Sequence, residues 1–196
     1  MRSWRSGSLL VAALVCGAAG AQAPQKSLVK TNVAHKAYEL TLAGLRPGRD
    51  TLSRAKHLYK SSLDPLKDQG ESNWEDACHA TSLVVSYDQN RTIETIRVMR
   101  MQGSISTDCF DKVKPDPWRT GHGLAVDNTE TKVVELYGEP DSRSPSTKDG
   151  QPLELLYYAF DWVGPDVPQV MEVLCTVEKD GKPGRVVEIT LAAPSL

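Results

Sequence analysis

The side chains best suited to proton transfer or metal binding are four scattered histidines. His35, His57, His79 and His122 do not show the spacing that places two ligands on one zinc ion. Gly121 and Gly123 flank His122, but this short run lacks the lysine and the strand–loop–helix context of a phosphate-binding loop. No Gly-x-Ser-x-Gly motif is present to mark a serine nucleophile. We therefore predict no catalytic residue, no metal and no cofactor.

Composition sets the class of protein. The chain has 196 residues, of which 40% are hydrophobic and 24% charged, and its formal net charge is −2. These values are typical of a globular protein with one domain or two small ones. A basic surface suited to nucleic acid is not indicated, because acidic residues slightly outnumber basic ones. We expect no nucleic-acid partner.

The N-terminus has the order of a secretory signal. Arg2 and Arg5 precede an apolar run at residues 9–15, and small residues follow up to Ala21. The run is shorter than the roughly 20 residues that a transmembrane helix needs. We predict a signal peptide at residues 1–21, a polar leader at 22–36, and an exported protein, periplasmic or secreted, without a membrane span after signal removal.

Three cysteines remain after the predicted cleavage, and an oxidising compartment favours pairing two of them. Cys175 lies in an alternating apolar run and is expected to be a buried hydrophobic residue. Cys78 and Cys109 lie in polar stretches on either side of a predicted hairpin. Three pairings are possible, and we favour a disulfide between Cys78 and Cys109.

Two segments of the chain have the same outline. Each begins with Gly-Leu (residues 44–45 and 123–124), reaches a Thr that follows Asp or Asn, and ends with Leu-Tyr (58–59 and 136–137). The common offset indicates tandem units. We predict a first repeat at 37–112, a linker at 113–120 and a second repeat at 121–196.

Each repeat is predicted to be a short helix followed by an antiparallel meander. Asp50 is the expected N-cap of the first helix and Asp127 or Asn128 that of the second, while Gly138 and Pro140 end the second helix. Strands are expected at 83–87, 93–99, 153–162, 171–179 and 185–191, and residue 74 is assigned to an earlier strand. Loops are expected at 141–150 and 163–168. The predicted class is α+β, with two tandem units and the helices packed on one face of the sheet.

The strand at 153–162 is apolar on both faces. Such a strand is either covered on both sides or displays a contact surface. In the following strands, Leu174 and Val186 interrupt outer faces that are otherwise polar. We predict that Leu155, Tyr157 and Leu174 contact a partner.

Trp118 and Arg119 lie on the predicted linker. Tryptophan and arginine are enriched at the centres of protein interfaces, so both are further candidates for partner binding. The alternative for Trp118 is that it fills the contact between the two repeats.

The repeated residues resemble a known envelope family. Gly123-Leu124, Asn128-Thr129, Val133, Tyr137-Gly138 and Pro140 resemble the SmpA/OmlA-type repeat and the related tandem repeat of secreted β-lactamase-inhibitory proteins. The first copy matches at Gly44-Leu45, Gly48, Asp50-Thr51 and Leu58-Tyr59. The resemblance implies a helix-plus-sheet fold and a binding role outside the cytoplasm.

These observations favour an exported, non-enzymatic module that binds a protein or an envelope component. Two alternatives stay open. One is an inhibitor of a secreted hydrolase, and the other is a secreted enzyme with a site between the repeats.

Overall fold

The described part of this computed structural model comprises residues 36–59, 70–101, 118–177, 180 and 182–194, all within one compact unit, Ala34–Leu196. The predicted signal peptide, the leader up to residue 35, Cys109 and residues 113–117 of the predicted linker lie outside these ranges. The predicted Cys78–Cys109 disulfide therefore stays a prediction.

Helix α1 spans Leu52–Tyr59 and helix α2 spans Glu130–Tyr137, and a single 3-10 turn lies at Asp161–Val163. The strands of the described residues are β1 (Glu71–Asp76), β2 (Thr81–Tyr87), β3 (Ile93–Arg100), β4 (Ser142–Lys148), β5 (Gln151–Ala159), β6 (Val170–Thr176) and β7 (Val186–Ala192). None of the described helices combines the length and the apolar character needed to cross a lipid bilayer.

All these strands form one antiparallel sheet in the order β1-β2-β3-β7-β6-β5-β4. The prediction of two tandem helix-plus-meander units is therefore wrong. Strand β3 pairs with β7 along Thr95–Met99 and Glu188–Ala192, so the strands of both halves belong to a single sheet. The physical reason is that a separate sheet of β1, β2 and β3 would leave the outer edge of β3 without a pairing strand and would bury too little apolar surface.

One face of the sheet is apolar and carries the core. A row of facing residues crosses six strands in register and contributes one buried side chain per strand: Trp74, Leu83, Val98, Ile189, Val173 and Leu156. Leu52 and Ala55 of α1 and Val133 and Tyr137 of α2 belong to the same core cluster. Both helices therefore cover this face.

Both predicted helices are confirmed, but their caps differ from the prediction. The Asp50 carboxylate accepts the backbone N–H of Arg46 at 2.7 Å and so closes the turn before α1. Thr129 is the N-cap of α2, because its hydroxyl accepts the backbone N–H of Lys132 at 3.2 Å. The predicted end of α2 is confirmed at Gly138, whose φ of 78° favours glycine.

The predicted loop at 141–150 is wrong, since strand β4 occupies most of it. Its side chains are exposed or half-buried, so no alternation of apolar and polar residues marks it as a strand. Pro145 is tolerated because β4 is an edge strand, where a missing backbone donor costs little.

Two further details of the second half differ from the prediction. Strand β5 ends at Ala159, and Trp162 lies in the 3-10 turn rather than in the strand. Val186 is buried in the core and does not lie on the outer face as predicted. It pairs with Cys175, directly after the point where the register between β6 and β7 shifts.

Cys175 is a free, buried cysteine of the core, which confirms its predicted structural role. Burial raises the pKa of the Cys175 thiol to about 12. The neutral thiol is therefore unsuited to nucleophilic chemistry.

Candidate functional site

Three of the predicted contact residues lie together on the sheet face opposite the core, which we call the open face. Leu155 of β5 is the register partner of Leu174 of β6, and Tyr157 is the register partner of Glu172. All three predicted side chains are half-buried. They form an apolar strip across two neighbouring strands.

The structure does not bring Trp118 to this strip. The Trp118 ring packs edge-on against Tyr59, with ring centroids 5.8 Å apart, and Tyr59 in turn contacts the buried Trp74. Arg119 is exposed beside it, and its backbone forms an isolated bridge with Ala125. Both residues therefore lie on the core side of the molecule, away from Leu155, Tyr157 and Leu174.

The open face is concave. The Lys148 ammonium, near the β4–β5 turn, forms an ion pair with Glu188 of β7 and lies 3.7 Å from the sulfur of Met99 in β3. In a flat sheet β4 and β7 would be about 14 Å apart, since three strand spacings separate them. The β4–β5 hairpin therefore bends over the open face, and Leu153 is buried there.

A polar cavity of about 290 Å³ opens on the same face beside the apolar strip. Its lining combines the guanidinium of Arg97 with carboxylates and hydroxyls, which belong to Glu71, Glu172, Glu188, Ser86, Thr95 and Thr190. The Nε atom of Arg97 is buried and has no hydrogen-bond partner in the described structure. A buried donor without a partner is costly, so an acceptor from a bound molecule would be stabilising here.

A second site is centred on Glu39, whose carboxylate is only 1% exposed. One carboxylate oxygen accepts the backbone N–H groups of Leu40 and Thr41, at 2.8 and 3.0 Å. The other accepts the Tyr137 hydroxyl at 2.6 Å and the His122 backbone N–H at 3.0 Å. The carboxylate therefore joins the segment before α1 to the loop before α2 and to α2 itself.

The same oxygen of Glu39 lies 2.9 Å from the Nδ1 atom of His122. An ionised carboxylate only accepts hydrogen bonds. Nδ1 therefore carries the proton and donates the hydrogen bond to Glu39. In the neutral ring the Nε2 atom is then an acceptor. Among the described residues no serine, threonine or cysteine is hydrogen-bonded to the ring.

The ionised state of Glu39 is maintained by its partners. Burial opposes ionisation, but the hydrogen bonds from Tyr137, Thr41 and His122 outweigh it and lower the pKa of Glu39 below its ordinary value. Burial and the neighbouring Glu39 carboxylate both raise the pKa of Tyr137, so its hydroxyl stays protonated and donates.

A cavity of about 550 Å³ lies beside His122, between the segment before α1 and the 3-10 turn. Its walls are mainly apolar and include Tyr38, Leu40 and Trp162. Thr41 and Lys36 also line it, and Lys36 forms an ion pair with Asp141 at 2.6 Å. In the described ranges, no group of three His, Cys, Asp or Glu side chains is arranged to hold a metal ion.

Glu39, Arg97 and Trp162 were not predicted as site residues from the sequence. Glu39 and its partner Tyr137 are 98 residues apart, and no local pattern connects them. Gly121 is part of the same tertiary contact. A Cβ atom there would lie 2.6 Å from the Glu39 carboxylate and 2.9 Å from the Thr41 hydroxyl, so this position requires glycine.

Comparisons with known proteins are limited to distant structures, because no protein-family model and no curated protein matches the sequence. One similar structure is a DUF4309 family protein from Bacillus subtilis, with 14% identity and a TM-score of 0.44, covering 80% of this chain and 88% of that one. Another is a cysteine-rich secretory protein from Staphylococcus aureus, with 11% identity and a TM-score of 0.38.

The second match covers 82% of this chain, which spans about half the length of that protein. At these TM-scores, neither similarity supports an argument about function. The resemblance to the SmpA/OmlA-type repeat stays a prediction.

Proposed function

We propose that this protein is an exported, non-enzymatic binding module whose open face receives another protein of the cell envelope. The observation that supports this most directly is the apolar strip of Leu155, Tyr157 and Leu174 beside the polar cavity at Arg97. An apolar centre next to polar groups is the usual composition of a protein interface.

The concave shape of the open face is complementary to a convex segment of a partner. The strip offers one aromatic and two aliphatic side chains, and tyrosine is enriched among residues that dominate binding energy. A backbone carbonyl of the partner would accept from the Arg97 Nε, which has no hydrogen-bond partner among the described residues. The two features together favour a mixed apolar and polar contact.

Site-specific photo-crosslinking in cells that make the protein tests this proposal. Benzoylphenylalanine placed at position 157 is expected to give a discrete crosslinked adduct, because the side chain lies within the proposed contact. The matched control carries the same probe at position 58, where Leu58 is exposed on α1. The adduct is expected to weaken in an Arg97→Ala background.

Two results would contradict the proposal. One is the same adduct from both probe positions, and the other is no adduct from position 157. Identification of the adduct by mass spectrometry separates a protein partner from a second copy of this chain.

The exported location is a separate part of the proposal. The intact mass of protein recovered outside the cytoplasm is expected to match a chain that begins at Gln22. Under non-reducing conditions Cys78 and Cys109 are expected to resist alkylation while unfolded Cys175 reacts. Cytoplasmic protein that retains residues 1–21 would contradict the export proposal, and an alkylated Cys78 would contradict the disulfide.

A further inference from the structure

The cavity beside His122 combines features that the proposed protein-binding function does not use. Tyr38 and Trp162, at 39% and 50% exposure, are two of the four large hydrophobic side chains that are exposed in the described residues. Both line this one cavity. Exposed aromatic rings gathered around a cavity indicate a ligand with an apolar face.

Trp162 is held in place although its side chain is exposed. Its indole N–H donates to the backbone carbonyl of Ala159 at 3.0 Å, across the 3-10 turn. A ring fixed in this way loses little conformational freedom on binding. The indole face is a preorganised platform for the C–H face of a saturated ligand ring.

His122 supplies a hydrogen-bond acceptor at the cavity. Because Glu39 accepts from Nδ1, the Nε2 atom is the acceptor of the ring whenever the ring is neutral. The ring is also positioned by Tyr137, whose centroid lies 5.5 Å away. A ligand hydroxyl would donate to Nε2.

The charges around the cavity are already compensated. Glu39 is occupied by five donors, and Lys36 is paired with Asp141. A charged ligand would therefore compete with an existing partner, whereas a neutral ligand would not. Thr41 adds a hydroxyl to the lining. The Thr41 hydroxyl and the His122 ring, set among apolar walls, offer hydrogen-bond partners to a neutral ligand that carries hydroxyls.

We propose that the cavity beside His122 binds a neutral saccharide, with a sugar ring on Trp162 and a sugar hydroxyl donating to His122 Nε2. The cavity volume of about 550 Å³ lies within the range of about 300–1,000 Å³ that is typical of small-molecule sites, which suits a short oligosaccharide. The proposal is independent of the open face.

Calorimetric titration of the mature chain with cellotriose, maltotriose and chitotriose tests the proposal. At least one trisaccharide is expected to bind, and the Trp162 fluorescence is expected to change on binding. Trp162→Ala and His122→Ala should each weaken binding about tenfold, while Trp162→Phe retains an aromatic platform and should weaken it less. Leu58→Ala is the control, since Leu58 is exposed outside the cavity, and it should bind like the unmodified protein.

Circular dichroism of each variant shows whether it is folded before it is titrated. Failure of all three trisaccharides to bind the unmodified protein would overturn the proposal. Binding that is unchanged in folded Trp162→Ala would overturn it as well. A tyrosine-containing peptide that binds in place of the sugars, with the same dependence on Trp162 and His122, would replace the saccharide by a peptide ligand.

Discussion

The Glu39 carboxylate stabilises the fold through hydrogen bonds. Among the described residues no other carboxylate is both as buried and hydrogen-bonded to as many groups. Its two oxygens accept from three backbone N–H groups, the Tyr137 hydroxyl and the His122 ring. The Tyr137 hydroxyl also lies 2.6 Å from the Thr120 hydroxyl, which extends the network. Hydrogen bonds to a buried charge are stronger than neutral ones, and a donor that loses its partner is destabilised.

Glu39→Gln is expected to lower the free energy of unfolding at pH 7 by about 2–3 kcal/mol. The amide carries no charge, and its NH2 group would face the hydrogen-bond donors that now surround a carboxylate oxygen. Urea denaturation measures the change. Glu135→Gln is the matched control, because Glu135 is exposed and its loss should change stability by less than about 0.5 kcal/mol. Equal effects of the two substitutions would contradict the role assigned to Glu39.

Because Glu39 is ionised in the folded protein, we expect the stability of the protein to depend on pH. Its pKa in the folded protein is below the ordinary value of 4.5, so its stabilising effect is complete above that value and is lost as pH falls through the folded pKa. The stability difference between the unmodified protein and Glu39→Gln should therefore shrink below about pH 4.5. Denaturation series from pH 7 to pH 3 measure it, and a difference that grows on acidification would contradict the assignment.

At the scale of the residue, this network is not predictable from the sequence. Glu39 lies between Tyr38 and Leu40 without a motif, and His122 lies between glycines that lack the context of a phosphate-binding loop. The contacts depend on the tertiary structure, since the bonded residues are 83 and 98 positions apart.

At the scale of the elements, the helices were predictable because their signals are local. The Leu-Tyr ends, the Thr before each helix and Gly138 all lie within a few residues of the structure that they determine. Strand β4 was not predictable in this way. Its residues face solvent, and only the backbone pairing with β5 makes it a strand.

The cap of α2 gives a prediction at this scale. Thr129→Ala removes the hydroxyl that accepts from Lys132, and this should cost about 1 kcal/mol of stability. The control is Thr131→Ala, at an exposed position inside the same helix, where alanine is a better helix former. Thermal denaturation compares the two variants. An unchanged midpoint for Thr129→Ala would contradict the capping role.

At the scale of the whole molecule, the pairing of β3 with β7 decides the architecture. The duplicated pattern in the sequence predicted separate units, because it records local structure and contains no information on which strands pair across the halves. Ile189 lies at this pairing, between Val98 of β3 and Val173 of β6, and is fully buried.

Ile189→Ala should therefore destabilise both halves together by about 2–5 kcal/mol, the usual cost of a cavity in a core. Amide hydrogen exchange is expected to show reduced protection in β1–β2 as well as in β5–β6. Val177→Ala, at an exposed position, should have little effect. Full protection of β1–β2 in Ile189→Ala would indicate that the halves unfold independently.

The composition of the two edge strands, β1 and β4, affects whether copies of the protein can pair edge to edge. Strand β4 carries Pro145 and Lys148, and strand β1 carries the acidic residues Glu71, Glu75 and Asp76. A proline and charged side chains disfavour the addition of a further strand by backbone hydrogen bonding. Both margins of the sheet formed by the described residues therefore disfavour fibril-like stacking of one copy on the next, although the open face carries an apolar strip.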